Sequence, residues 1–260
     1  MTPWLERCRA AVADVKTVLS EMPTRAERER PIGRGEGGDI TVALDRAAEE
    51  AVLAHFELEG VRIVSEEIGI RGEGPTTVLV DPIDGSQNAE RAIPYFALCI
   101  AVAEGETMKD VVFGYVYDFG ANEEWTARRG EGAYLNGVAL SGHPKDPIEF
   151  LSIEATRAAL VAEQLPRLAP LTDRVRIMGA QALSFCHLAA GRTDAVVCLK
   201  PSRAVDFAAA QLLISERGFS VRAIDGPPVP ELPLDLVGRS RICAAATDEL
   251  TAALAAALLD

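Results

Sequence analysis

The chain has 260 residues, a net charge of −13 and 48% apolar residues. That is enough apolar material for a sizeable core, and 25% charged residues is too ordinary for a disordered chain. So acidic a surface repels phosphate backbones, which excludes nucleic acid as the expected partner, and no apolar run approaches the ~20 residues needed to span a bilayer.

Residues 3–21 place Trp4, Leu5, Cys8, Val12, Val15 and Leu19 at three- and four-residue spacing, which predicts an amphipathic helix rather than a signal peptide. The glycine-rich, doubly charged stretch "TRAERERPIGRGEGGD" predicts a mobile loop. A helix follows from near Leu44, with Ala47, Ala51, Leu53 and Ala54 offered as its buried side. Residues 61–65 and 76–81 are short apolar runs without clean alternation, as expected of strands buried on both faces. From 95 to 140, strand-like runs alternate with turn signals and predict an antiparallel meander. Beyond about residue 142, strand-like and helix-like segments alternate, which predicts an α/β layer. Residues 1–142 are therefore expected to form an α+β half with an antiparallel sheet, and residues 143–260 an α/β half completing the site. "TDELTAALAAALL" closes the chain as a helix capped by Thr247 or Asp248.

The five cysteines are odd in number, lack a C-x-x-C pair and mostly lie in apolar runs. Reduced, buried thiols in a cytoplasmic protein are the expectation. His143 and His187 are expected to be structural or exposed.

Chemistry concentrates in "VLVDPIDGSQN". Pro82 disfavours the α region at Asp81, so Asp81 should stay extended at a strand end. The chain then turns, bringing Asp84 and the Ile83 carbonyl toward the same space. Gly85 permits close approach of a ligand, and a helix starting near Ser86 would aim free N–H groups there. Hard cations such as Mg²⁺ take oxygen ligands, and phosphate takes N–H groups. A bare D-x-x-D-G is more often an ordinary turn, so other acids must converge. Glu66-Glu67 ends the neighbouring strand. Asp206 stands where a helix should begin, as its N-cap, with Gly218 placed to end that helix. Asp39 and Asp45 flank the end of the glycine loop, Asp45 as a possible cap for the helix after it.

In combination these segments resemble the inositol monophosphatase family of Mg²⁺-dependent, lithium-sensitive phosphatases. "GGDITVALDRAAEE", "IVSEEIG", "LVDPIDGSQN", "GEGAYLNGVAL", "RIMGAQALSFCHLAAGRTDAVV" and "AVDFAAAQLLISERG" match its motifs in order, from about residue 33 to 225. The resemblance implies a layered αβαβα sugar-phosphatase fold, a homodimer and two to three Mg²⁺ ions per site. It implies that Glu66, Asp81 and the Ile83 carbonyl hold one ion and that Asp81, Asp84 and Asp206 hold a second. Glu66 and Asp39 would serve a weaker third. Gly85 and Ser86 would bind phosphate through their N–H groups, and Asp84, Gly179, Ala180 and Arg203 would border the substrate. Glu66, Ser86 and Asp39 would position a metal-bound water for in-line attack on phosphorus.

Two departures bear on the substrate. Animal-type members carry Trp before the last metal-binding Asp and Glu seven positions before it, where this chain has Val205 and Leu199. Lys200 and Arg203 stand nearby, on the entrance to the site, and could bind a second phosphate. "DPIDGS" with R-x-x-D-x-A-A is closest to archaeal-type members, which often hydrolyse both inositol 1-phosphate and fructose 1,6-bisphosphate. The expected activity is therefore a phosphomonoesterase for a small sugar or polyol phosphate. A nucleotide phosphatase acting on NADP⁺ or 3′-phosphoadenosine 5′-phosphate is the alternative, which Gln87 disfavours for the latter substrate. A non-catalytic regulator is a third reading, opposed by the complete set Glu66, Asp81, Asp84 and Asp206.

Overall fold

The computed structural model describes residues 3–35, 40–155 and 157–259. Its elements stack in five layers. The first holds α1 (Pro3–Glu21) and α3 (Ala43–Leu53), with the short α2 (Arg25–Arg28) between them in sequence. Next comes an eight-stranded sheet built from β3 (Val61–Ser65), β4 (Gly69–Arg71), β5 (Thr76–Asp84), β6 (Ala97–Ala103), β7 (Val111–Asp118), β8 (Glu123–Arg128), β9 (Gly132–Leu135) and β10 (Val138–Ala139). Its order is β10-β9-β8-β7-β6-β5-β3-β4, antiparallel except for the β3–β5 pair. α6 (Gln181–Ala189) and α7 (Ala204–Glu216) form the middle layer, while the five-residue α4 (Ser86–Glu90) follows β5. The second sheet holds β11 (Phe150–Glu154), β12 (Arg174–Arg176), β13 (Ala195–Cys198), β14 (Ser220–Ala223) and β15 (Ile242–Ala245), and α5 (Ala158–Leu168) and α8 (Asp248–Leu259) cover its far side. This is the expected αβαβα layering. Among the described residues no helix is long and apolar enough to cross a membrane.

Three apolar cores fill the gaps between layers, and strand periodicity assigns residues to them. On β6, Leu98, Ile100 and Val102 face α1 and α3, whereas Ala97, Cys99, Ala101 and Ala103 face the middle helices. On β13, Val196 and Cys198 face the middle layer and Ala195 and Val197 the outer one. Both faces are covered, which is why these strands read as continuous apolar runs. The small residues on the inner face of β6 leave room for α7, which is buried on nearly every side from Ala204 to Ile214. At Gly114 on β7 a Cβ would lie 2.5 Å from the Ala209 carbonyl oxygen of α7. Only glycine permits that approach.

Three expectations are corrected, while the α/β layer stands, with a sheet of mixed direction. The stretch after α1 is not all loop: Thr24 and Glu27 form a capping box that starts α2, and β1 (Pro31–Arg34) pairs antiparallel with β2 (Ile40–Val42). On α3 the buried side is Leu44, Ala48, Val52 and Leu53 together with Asp45 and Glu49, while Ala47 and Ala51 are half-buried and Ala54 is exposed. Leu44, Ala48 and Val52 make that face at four-residue spacing, and Glu49 beside them accepts from the Ser65 hydroxyl and from Glu67 N and Ile68 N. The second sheet is mixed: β11 pairs parallel with β12 and β13, but β15 runs antiparallel to β13 and β14. β5 continues through Asp84, with a register break between Asp81 and Asp84 in place of a turn. Pro82, which has no N–H to give the ladder, sits inside that break.

The terminal helix follows expectation, with Leu250 N donating to Thr247 Oγ1 at 3.2 Å. Gly114→Ala should lower stability by about 1–3 kcal/mol, because the added methyl forces α7 off the sheet. Urea melts of the two proteins check this, and an unchanged midpoint would contradict the close-packed helix.

Candidate active site

The ends of several elements from both sheets open on one cleft of about 640 Å³. β5 contributes Asp81, Ile83 and Asp84, the turn after β3 contributes Glu66 and Glu67, α3 contributes Asp45, and β11 contributes Glu154. α6 arrives with Gly179 and Gln181 at its start, and α7 with Arg203 and Asp206. Among the described residues, eight carboxylates line the cleft (Asp45, Glu66, Glu67, Asp81, Asp84, Glu90, Glu154 and Asp206) against three cationic side chains, Lys200, Arg203 and Arg239. A second cleft of about 460 Å³, bordered by Leu5, Phe113 and Tyr134, has only Arg128 and Glu131 as charged neighbours and no such convergence.

Carboxylate oxygens of Glu66, Asp81 and Asp206 all lie within 4.8 Å of one another. Asp84 is held differently. Its two oxygens accept from Gln181 N at 3.0 Å and Ala182 N at 2.7 Å, so it caps α6 from a neighbouring strand. Asp206 is the third residue of α7 rather than its N-cap. Arg203 is the N-cap, and its backbone N donates to Asp206 Oδ2 at 2.7 Å. Gly218, with φ +71°, follows the helix end as expected.

Arg203 is not a solvated residue at the entrance. It is buried, and Nη2 donates to Glu66 Oε1 at 2.5 Å and to Asp206 Oδ1 at 3.0 Å. Lys200 is the exposed one. Leu199 is buried in the outer core beyond the second sheet and supplies nothing to the cleft. Ser86 Oγ donates to the Ile83 carbonyl at 2.9 Å. Gly85 takes φ +90°, and a Cβ there would meet the Gly179 carbonyl oxygen at 3.0 Å and Ala180 Cβ at 3.1 Å. The proposed phosphate loop and the Gly179–Ala180 segment therefore touch. Asp39 lies outside the described residues. Glu154 and Gln181 are cleft residues that sequence reasoning missed. Glu154 ends a strand of the α/β layer on the cleft side, a position that favours ligand sites and could have flagged it.

Burial and mutual repulsion govern the electrostatics. Burial pushes the Asp81 carboxyl well above its usual range, and Glu66, Asp84 and Asp206 add to this. Asp84 is raised by burial and by Glu154, against the pull of its two backbone N–H donors. Glu66 is raised by burial, with Arg203 opposing. Asp45 is pushed up to about 8 by burial and by Glu67 and Glu66. Glu154 is raised to about 7 by burial, opposed by the Ser184 hydroxyl, which donates to Oε1 at 2.5 Å. Clustered, oxygen-only and carrying more negative than positive charge even with Arg203 among them, this donor set fits a hard divalent cation. His187, by contrast, is lowered to about 4 by burial and packs edge-on to Tyr95, as a structural histidine. All five cysteines are buried free thiols.

A layered fold with acid-rich strand ends facing a backbone-lined turn defines a metal-assisted phosphatase type of site. Comparison with known proteins gives the family: the inositol monophosphatase family profile matches residues 4–260, and the chain belongs to that family. The chain is 33% identical over 240 residues, covering 91% of both sequences, to the fructose-1,6-bisphosphatase/inositol-1-monophosphatase of Archaeoglobus fulgidus. It is 33% identical over 220 residues, 84% of both, to the protein of the same name from Methanocaldococcus jannaschii. The crystal structure of an inositol monophosphatase–fructose 1,6-bisphosphatase superposes with a TM-score of 0.87 at 29% identity, covering 99% of this chain and 100% of that one.

Three outcomes follow from the carboxylates. Asp45 and Glu154 hold protons in the folded chain at pH values where the unfolded chain has released them. Without divalent cation, stability should therefore fall as pH rises from the ordinary carboxylate range of about 4 toward about 8. Adding Mg²⁺ should raise the melting temperature more at about pH 8 than at about pH 5, since metal and proton compete for neighbouring carboxylates. Equal Mg²⁺ shifts at both pH values would contradict this. Asp84→Asn should lower stability by about 1–3 kcal/mol even without metal, because an amide N–H₂ would face a backbone N–H. Chemical denaturation reads this directly, and no loss would mean that the capping bonds are dispensable.

Proposed function

We propose that this chain is a Mg²⁺-dependent phosphomonoesterase for a small sugar or polyol phosphate, of the inositol 1-phosphate or fructose 1,6-bisphosphate class. The observation that carries this reading is the group Glu66, Asp81 and Asp206 within 4.8 Å, beside the Gly85–Ser86 turn. Glu66, Asp81 and the Ile83 carbonyl would hold one ion, and Asp81, Asp84 and Asp206 a second. Each Asp84 oxygen keeps a lone pair free after its backbone bond. When bound, Mg²⁺ would acidify water and offset the charge of the phosphoryl group.

The chain's own groups do the rest. Gly85 and Ser86 would give N–H groups to phosphate oxygens. The Ser86 hydroxyl, now on the Ile83 carbonyl, and the Glu66 carboxylate would orient a water in line with the leaving sugar oxygen. Gly179 and Ala180, packed against Gly85, would border the substrate. The second relative-derived substrate name, a bisphosphate, suits a cleft with Lys200 and Arg239 on its wall, and the buried Leu199 offers no carboxylate to inositol hydroxyls.

Phosphate release from inositol 1-phosphate, fructose 1,6-bisphosphate and NADP⁺, measured in parallel with Mg²⁺ and with EDTA, tests the proposal. We expect EDTA-sensitive release from at least one of the first two. Release from NADP⁺ alone would make this a nucleotide phosphatase, and release from none would overturn the assignment.

A further inference from the structure

The carboxylates proposed to hold Mg²⁺ already have a cation among them, and it belongs to the chain. Arg203 is only 7% exposed, in a cleft otherwise crowded with negative charge. Its Nη2 bridges Glu66 Oε1 at 2.5 Å and Asp206 Oδ1 at 3.0 Å, and its Nε reaches Asp206 Oδ1 at 3.1 Å. Glu66 and Asp206 are two of the three acids whose oxygens converge within 4.8 Å. The remaining nitrogen, Nη1, is buried and has no hydrogen-bond partner among the described residues. The local backbone makes the placement possible. As N-cap of α7, Arg203 lies three residues before Asp206, and its side chain folds back along the start of its own helix.

We infer that Arg203 is an internal counter-ion that competes with the divalent cation for Glu66 and Asp206. The inference rests on the metal-binding reading above. A dication on the free lone pairs of the same carboxylates would share their charge with the guanidinium and repel it, so metal binding weakens the Arg203 contacts and Arg203 weakens metal binding. The metal affinity of this chain is then set in part by its own arginine, which offsets part of the charge on Glu66 and Asp206 when metal is scarce. This is a positioning role: Arg203 acts through the acids and touches no reacting atom.

Calorimetric titration of Mg²⁺ into chelator-treated wild type, Arg203→Gln and Arg203→Lys tests it, with no turnover involved. Arg203→Gln should bind Mg²⁺ roughly fivefold tighter or more, since about fivefold is the most an exposed ion pair gives and these pairs are buried. Arg203→Lys should fall between, since an ammonium keeps the charge but loses the planar fork. Equal or weaker binding by Arg203→Gln, with wild type binding normally, overturns the counter-ion role. Absence of binding by wild type overturns the metal reading itself, a distinct result. Should the Gln variant fail to fold by circular dichroism, the assigned Arg203 Nε–H resonance of the wild type decides. It must shift on adding Mg²⁺, and an unmoved resonance overturns the inference.

Discussion

Like charges forced together inside a folded chain are the constraint on which the rest of this structure depends. Glu66, Asp81, Asp84 and Asp206 would repel one another and leave the interior unless something held them. Backbone groups do much of the holding. Asp84 is pinned by two N–H groups of α6 and Asp81 by Ile83 N at 3.1 Å. Glu49, one layer away, accepts from Glu67 N and Ile68 N at 3.0 Å each and so fixes the turn that carries Glu66. Arg203 contributes the only cation seen bonded to these acids among the described residues.

The layers explain how such a cluster is assembled from distant parts of the chain. Neither sheet alone could supply it. β3 and β5 run parallel, so their carboxyl ends emerge side by side with Glu66 and Asp81. The middle helices start at the same end, because α7 lies against the small inner face of β6 and Gly114 lets it sit close. Burial of a helix that is apolar almost all round thus fixes where Asp206 and Arg203 begin. Core packing and site geometry are the same set of contacts seen from two ends.

Much of this was legible in the sequence where a local rule was decisive. Pro82 between the two aspartates told of an extended Asp81, and β5 runs through it. Continuous apolar runs told of strands covered on both faces. What was not legible depended on tertiary partners. Glu49 is buried in α3 because its partners are Ser65 on β3 and the backbone of Glu67 and Ile68, which no helical period reports. Arg203 looked like an entrance residue because its two partners are Asp206, three residues on, and Glu66, 137 residues back. β14 and β15 have four residues each, too short for a period to show.

The most direct test of the central claim is a crystal structure grown with Mn²⁺ and inorganic phosphate, with anomalous data collected at the manganese edge. The account predicts anomalous peaks among Glu66, Asp81, Asp84 and Asp206, with phosphate against the Gly85–Ser86 turn. Manganese bound elsewhere, with these carboxylates still bridged only by Arg203, would contradict it.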